Sequence, residues 1–414
     1  MRLITNTCPR LIALSRLLVS ALLLAALAGC AASRTVQYDN VEIARAETEV
    51  PIEQILDVGI LLFDPGVAED QEEPDGFTFP DVRRAEARYM PYHMKSTLED
   101  SGYWGSVWVL PQRTDAVDLL VWARIDESNG LEAELRVGAW DATGREWLNK
   151  AYSVEVPQKA YSNYRDKTQD PYQSLYNDIA NDLLKVRQGM SDEELVRIRQ
   201  VAELRFAADL VPAAFEDHLT ESKGRYEVRR LPADDDPMMA RMRSVREREY
   251  TLVDTMNEYY AGLYYELSKP YEDWRRMSRE ETINYKELKR SARMRQLLGL
   301  AAILGAVAYE GGGGGNGAIT STAVLGGLKV FESGLNKSAE ANDYRESLKE
   351  LGQSFDAEAE PLLIEIEGQT RRLTGTAEER YREWRRILRE IYSEETGLAS
   401  LNDVAGATDT SSAN

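Results

Sequence analysis

The stretch Ile55-Leu56-Asp57-Val58-Gly59-Ile60-Leu61-Leu62-Phe63 decides the fold of this chain. It is short and aliphatic, and it ends at Asp64-Pro65-Gly66, a combination that is typical of a turn. A continuous apolar run of this length, bounded by turn residues, predicts a strand in the buried interior of a sheet.

The segments that follow predict the rest of this sheet and the helices that cover it. Residues 131–137 alternate between apolar and charged side chains, so one face of that strand is expected to pack and the other to meet water. Asp81 is expected to cap the first helix, Pro91 to kink it and Ser101-Gly102 to end it. The predicted strands are 103–110, 117–125, 131–140 and 145–156, and the predicted helices are 81–101 and 171–189.

A charged helical region is predicted next. Ser191-Asp192-Glu193-Glu194 is a capping box, and Pro212 is expected to stop the helix that it starts. A long helix is predicted over 238–269, with separate helical pieces beyond Pro270 and over 280–295. The pattern Tyr-x-x-Trp-Arg-Arg occurs at 271–276 and again at 381–386, which indicates either equivalent docking of two helices or coincidence.

A glycine-rich apolar hairpin is predicted between residues 296 and 336. Two apolar arms flank the run 311–317, and small residues recur four apart in both arms, a spacing that lets two helices approach closely. The hairpin resembles the glycine-zipper hairpins of envelope proteins. It is expected either to be buried in protein, including within an oligomer, or to enter a membrane; a phosphate-binding loop is excluded because no Lys-Ser or Lys-Thr follows the glycines. The residues predicted to pack the two arms are Gly299, Ala301, Gly305, Gly326 and Gly327.

The beginning of the chain has the three parts of a secretory signal. Arg2, Arg10 and Arg16 precede an apolar run that begins near Leu17, and small residues come before Cys30. Leu27-Ala28-Gly29-Cys30 resembles the lipobox of bacterial lipoproteins. The alternative, a retained membrane anchor, is disfavoured because the run is shorter than the roughly 20 residues that a spanning helix needs.

The lipobox resemblance implies a location. In that family the cysteine is acylated with several chains, including palmitate, and the peptide before it is removed; stable anchoring needs more than one chain. Residue 31 is Ala rather than Asp, which by the same resemblance favours the periplasmic face of the outer membrane. The mature protein would therefore be bound to a membrane by its first residue.

The predicted sheet module also resembles known lipoprotein domains. The segments 56–63, 98–109 and 117–125, with the turn 141–144, have the order found in the auxiliary lipoproteins of ABC transporters, the curli secretion lipoprotein and the lipoprotein activators of peptidoglycan synthases. The resemblance implies a domain that docks envelope proteins or forms a homo-oligomer rather than one that catalyses a reaction.

Charge and cysteine content limit the function further. The net charge is −20, and removal of the three signal arginines leaves −23, so binding to nucleic acid is excluded. Cys8, the only other cysteine, would leave with the signal, so Cys30 would have no partner for an internal disulfide.

The sequence carries no recognised catalytic or cofactor motif. His93 and His218 have no second His or Cys at ligand spacing, so we expect no metal site, no cofactor and no catalytic residue. A cell-wall hydrolase that uses two carboxylates is a third hypothesis, since a carboxylate pair needs no motif.

The sequence as a whole predicts an α+β protein: an N-terminal α/β sheet domain followed by a mainly helical region with the glycine-rich apolar hairpin. Its expected function is that of a non-enzymatic scaffold or assembly accessory of the cell envelope; the alternative is an oligomeric secretion or transport component that inserts the hairpin into the membrane. The predicted divisions are a signal peptide (1–29), a tether (30–51), the α/β domain (52–190), a helical region (191–295), the hairpin (296–336), a helix-hairpin-helix (337–397) and a disordered tail (398–414).

Overall fold

A computed structural model of the chain describes residues 41–68, 70–71, 78–162, 169–308, 350, 362–366, 369–373 and 376–396. The described residues do not include the predicted signal peptide, Cys30, the second arm of the hairpin with Gly326 and Gly327, residues 337–361 apart from residue 350, and the predicted tail.

A five-stranded mixed sheet forms the N-terminal half of the protein, as the sequence predicts. Its strands are β1 (Val58–Leu61), β2 (Val107–Leu110), β3 (Leu119–Ser128), β4 (Glu132–Asp141) and β5 (Glu146–Glu155), and they lie in the order β2-β1-β3-β4-β5. β1 runs parallel to both of its neighbours, and Ile60 lies between Val109 and Val121. The remaining strands form antiparallel hairpins. The prediction that the stretch 55–63 contains an interior, buried strand is therefore confirmed.

Two helices cover one face of this sheet: α1 (Pro80–Ser101) and α2 (Gln173–Gln188). The alternating face of β4 is buried at Ala133, Leu135 and Val137, as predicted. The start of α1 differs from its prediction: Phe79 occupies the N-cap position without a side-chain cap, and Asp81 lies inside the first turn. Proline at the first helical position explains this start, because the missing N–H has no intrahelical partner there in any case.

The helical region contains α3 (Asp192–Leu210), α4 (Pro237–Ala308) and α5 (Ala377–Thr396). The capping box at Ser191 and Glu194 is present as predicted. The separate pieces predicted around Pro270 are wrong, because α4 is one helix of 72 residues that contains this proline. Leu267, Tyr271 and Trp274 are all buried around it, so tertiary packing compensates for the backbone hydrogen bond that proline cannot donate.

Two short hairpins complete the described fold. β6 (Leu219–Ser222) pairs with β7 (Arg225–Val228), and β8 (Leu362–Ile366) pairs with β9 (Gln369–Leu373). The second hairpin lies within the predicted helix-hairpin-helix (337–397), whereas the first is not predicted. Side chains of α3, α4 and α5 join those of the β2 end of the sheet in one apolar core.

The edge strand β2 is covered by α4. The side-chain oxygen of Asn257 accepts from the Val109 N–H at 2.8 Å, and its amide nitrogen donates to the Val109 carbonyl at 3.0 Å. Trp108 Nε1 donates to Asp254 at 2.7 Å. Because Asn257 occupies both the N–H and the carbonyl of Val109 at this edge, it hinders pairing of β2 with a further strand.

The chain that leads into the domain is bound to it from its first described residues. Asn177 donates to the carbonyl of Val41 at 2.8 Å, and Asn181 accepts from the Ala44 N–H at 2.9 Å. The Ala46 N–H donates to Ser101 at 2.8 Å. The segment 41–46, which the sequence assigns to the tether, is therefore held against α1 and α2.

Within the described part of the chain, no helix is both long and apolar enough to cross a membrane.

Candidate functional site

The two Tyr-x-x-Trp-Arg-Arg copies lie in equivalent settings on two helices. The first copy, 271–276, is on α4, and the second copy, 381–386, is on α5. In each copy the tyrosine, the tryptophan and the first arginine are buried, because residues at positions one, four and five share a helix face. The last arginine of each copy pairs with acidic residues of its own helix.

The first copy forms a closed polar cluster. Tyr271 donates to Glu86 of α1 at 2.7 Å, and Ser128 donates to the same carboxylate oxygen at 2.5 Å. Arg275 donates from both terminal nitrogens to Asp170, at 2.9 Å each. The two side chains of this ion pair are 2% and 3% exposed, so solvent does not screen it.

Electrostatics inside this cluster follow from that geometry. Burial alone would raise the pKa of Asp170, but the charge of Arg275, then His93, and hydrogen bonds from Arg275 and the Tyr172 N–H lower it to about 2. Burial raises the pKa of Glu86, and Arg83 opposes that rise only in part. The first copy therefore joins α1, α4 and the start of α2 through buried hydrogen bonds and a buried ion pair.

The second copy repeats the arrangement with different partners. Tyr381 and Arg385 both donate to the carboxylate of Glu249, and Thr114 donates to it at 3.0 Å. Arg385 also donates to Asp209 of α3. Burial would lower the pKa of Arg385, but Glu249, Tyr381 and Asp209 raise it further than burial lowers it. Asp209 is 37% exposed, so this cluster, unlike the first, reaches the surface.

A groove opens where the second copy meets the surface. It has a volume of about 620 Å³, within the range of small-molecule sites. The loop between β2 and β3, α3, β7 and α5 form its walls. Five arginines line this arginine groove: Arg113, Arg205, Arg382, Arg385 and Arg389.

Two aspartates and one tyrosine hold part of this arginine set in place. Arg205 donates to Asp115 and to the Ala142 carbonyl, and its guanidinium lies 4.1 Å from the ring centroid of Tyr226. Arg389 lies 3.2 Å from Asp209, which it shares with Arg385. Among the described residues Arg113 makes no ion pair; its guanidinium lies 6.0 Å from the ring centroid of Trp140.

The residues that the sequence selects as candidates lie elsewhere. Gly299, Ala301 and Gly305 belong to the last turns of α4, while Cys30, Gly326 and Gly327 lie outside the described residues. Both ring nitrogens of His93 are within 2.8 Å of a partner, Tyr264 and Gln173. His218 Nδ1 lies 3.0 Å from the Arg230 carbonyl. In the described ranges, no three His, Cys, Asp or Glu side chains are grouped to hold a metal ion.

Sequence reasoning does not identify the arginine groove, because its walls come from four distant segments. One local signal exists: Arg382, Arg385 and Arg389 recur at a spacing of three and four, which puts their side chains on one face of α5. An arginine stripe of this kind on an otherwise acidic chain predicts a local positive surface.

No protein-family model, no curated protein and no solved structure matches this chain.

Proposed function

We propose that this protein is a lipoprotein, acylated at Cys30, on the periplasmic face of the outer membrane, and that it acts there as a non-enzymatic scaffold or assembly accessory. The observation that carries the proposal is Leu27-Ala28-Gly29-Cys30 directly after an apolar run too short to remain as a spanning helix. Its partners would be other envelope proteins.

The bound segment 41–46 supports a short tether. Only about 11 residues separate Cys30 from Val41, the first described residue, whose carbonyl is already held by Asn177. At about 3.6 Å per residue, a fully extended chain of this length reaches about 40 Å. A body held this close to a bilayer would meet partners within the envelope rather than far from the membrane surface.

A second function has a specific observation in its favour. α4 continues to Ala308, about 22 residues beyond Lys286, whose ammonium lies 2.6 Å from Glu132 of β4. At 1.5 Å per residue these residues add about 33 Å of helix, and the apolar stretch from Leu297 forms its end. Such an end suits self-association or insertion into a membrane as part of an oligomeric secretion or transport component.

Fractionation of native envelopes tests the anchor. Cys30→Ser should remove the protein from the outer-membrane fraction, because the acyl chains can no longer be attached. Cys8→Ser is the matched control, since this cysteine would leave with the signal and its loss should change nothing. Retention of both variants in the outer-membrane fraction would contradict lipid anchoring at Cys30.

Liposome flotation separates the two functions. The Cys30→Ser protein should stay in solution if the protein is a scaffold, whereas insertion predicts flotation that Gly305→Leu together with Gly327→Leu abolishes. Gly262→Leu is the control on the same helix, because a side chain at this position meets open space. Loss of flotation with Cys30→Ser alone would rule out insertion of the hairpin.

A further inference from the structure

We propose that the arginine groove binds a small polyanion, a ligand that carries at least two phosphate or carboxylate groups. This inference does not depend on acylation of Cys30 or on a scaffold role, because it rests only on the groove formed by the loop 112–115, α3, β7 and α5.

The groove is lined by more arginines than carboxylates. Five arginines line the groove together with two aspartates, Asp115 and Asp209, and the buried Glu249 lies behind them, so arginines outnumber carboxylates by two within this set of residues. The chain as a whole has a net charge of −20, so most of its surface repels anions. A concave cluster of arginines on such a protein is a local site for anions rather than part of a general basic surface.

Two arginines of the groove, Arg205 and Arg385, are already held in place by other protein groups. Arg205 is fixed by Asp115, by the Ala142 carbonyl and by the ring of Tyr226. Arg385 is fixed by Glu249 and Asp209. Arginines that are already ordered lose little side-chain freedom when they bind a ligand, and the planar guanidinium matches the geometry of phosphate and carboxylate.

The rim of the groove carries two exposed arginines. Arg113 and Arg382 are exposed at the rim of the groove, on the loop after β2 and on α5. Arg113 has no carboxylate within ion-pair distance in the described part of the chain, so an anion in the groove would be its first charged partner. Arg113 adds a cationic group to the fixed Arg205 and Arg385, and this arrangement favours a ligand with more than one anionic group.

The surroundings restrict the ligand. Next to the groove, towards β6, lie Glu216 and Glu221, which oppose an anion at that end. The positive part therefore lies between the loop 112–115 and α5. A volume of about 620 Å³ accepts a molecule of a few functional groups rather than a folded partner.

Isothermal titration of the mature full-length protein tests the site with two probes, pyrophosphate for a phosphate ligand and citrate for a carboxylate ligand, at equal ionic strength in chloride. Binding of either probe to the wild-type protein identifies the chemistry. Arg113→Gln together with Arg382→Gln should weaken that binding at least tenfold, because each charge-assisted hydrogen bond contributes strongly.

Arg386→Gln is the matched control, since this arginine lies on α5, pairs with Glu383 and Glu390, and does not line the groove. It should change the affinity less than twofold. Arg113→Gln alone, at an exposed position, guards against misfolding of the double variant and should weaken binding at least threefold. Absence of binding by both probes at millimolar concentration, or equal weakening by Arg386→Gln, would overturn the proposal.

Discussion

The two Tyr-x-x-Trp-Arg-Arg copies differ less in sequence than in what surrounds them. Both bury a tyrosine that donates to a buried glutamate, Glu86 for the first copy and Glu249 for the second. In the first copy Arg275 and Asp170 are almost fully buried, whereas in the second Arg385 is 11% exposed and its partner Asp209 is 37% exposed.

This difference shows how one local pattern takes two roles. The first copy is enclosed by α1, β3 and the start of α2, and its ion pair between Arg275 and Asp170 is closed off from solvent. The second copy is enclosed only on one side, so Asp209 is shared by Arg385 and Arg389 beside an open groove. The closed copy contributes a buried ion pair to the fold, whereas the open copy lies at the groove for which an anionic ligand is proposed.

The largest expected effect is a difference in unfolding free energy between loss of the Arg275–Asp170 ion pair and loss of the Arg385–Asp209 ion pair. Asp170→Asn should lower the free energy of unfolding by about 3 to 5 kcal/mol, because it leaves Arg275 buried without a countercharge. Asp209→Asn should cost at most about 1 kcal/mol, since Arg385 retains Glu249 and Asp209 is partly solvated. Urea unfolding of the Cys30→Ser protein at pH 7 measures both. Equal losses would mean that the two copies do not differ as described.

The effect of Asp170→Asn on the free energy of unfolding depends on pH. The pKa of Asp170 is about 2 in the folded protein, below that of about 3.9 in an unfolded chain. Its contribution to stability is therefore present above about pH 4 and is lost as the pH falls towards 2. The stability difference between wild type and Asp170→Asn should narrow over this range, and a difference that stays constant would assign the loss to packing instead.

A third buried carboxylate, Asp118, tests whether burial alone determines the direction of a pKa shift. Asp118 is buried like Asp170, but its cation, Arg246, lies 3.6 Å away rather than 2.9 Å. Burial raises the pKa of Asp118 to about 6, against the opposing charge of Arg246. The contribution of Asp118 to the free energy of unfolding is therefore fully present below about pH 4 and is lost as the pH rises through about 6.

Between pH 4 and pH 7 the free energy of unfolding of Asp118→Asn should therefore rise by about 3 kcal/mol relative to that of the wild type, because one pKa unit corresponds to about 1.4 kcal/mol. Urea unfolding at several pH values measures the difference. Asp170→Asn provides the internal comparison, since its effect on stability arises at a lower pH and has the opposite sign. A gap between Asp118→Asn and wild type that does not grow with pH would contradict the raised pKa.

The tyrosines should behave alike in the two copies. Tyr271→Phe and Tyr381→Phe each remove one hydrogen bond to a buried carboxylate that keeps its other partners, so each should cost about 1 to 2 kcal/mol. Thermal unfolding of both variants should give losses that agree within about 0.5 kcal/mol. A clearly larger loss in one copy would show that the glutamates are not equivalent.

The smallest effects are expected at the last arginine of each copy. Arg276 and Arg386 pair with acidic residues on their own helices near the surface. Replacing either by glutamine should change the free energy of unfolding by less than about 0.5 kcal/mol, as is usual for exposed pairs. A larger loss in chemical unfolding would reveal a contact of that side chain outside its own helix.

Much of the fold follows from local sequence patterns. The apolar stretch at 55–63 and the alternation over 131–137 predict the interior and half-buried strands because burial acts directly on those side chains. The β6–β7 hairpin is harder to predict, since its signal is one Lys223-Gly224 pair in a charged segment. Both of these residues have positive φ, 53° and 76°, as the tight turn requires.

The features that local patterns miss depend on tertiary contacts. Pro270 is an expected helix breaker, yet the buried aromatic residues Tyr271 and Trp274 keep α4 continuous through it. The arginine groove joins Arg113, Arg205 and Arg389 from segments far apart in the chain, so no short motif contains it. The repeated Tyr-x-x-Trp-Arg-Arg pattern is visible in the sequence, but only the fold distinguishes the closed copy from the open one.

Acylation of Cys30 is the property from which the proposed location and role follow. Mass spectrometry of the intact protein purified from native outer membranes tests it directly. The expected result is a mature chain that begins at Cys30 and carries several acyl chains on that residue. A mature chain that begins at another residue, or one that begins at Cys30 without lipid, would contradict the proposed anchor.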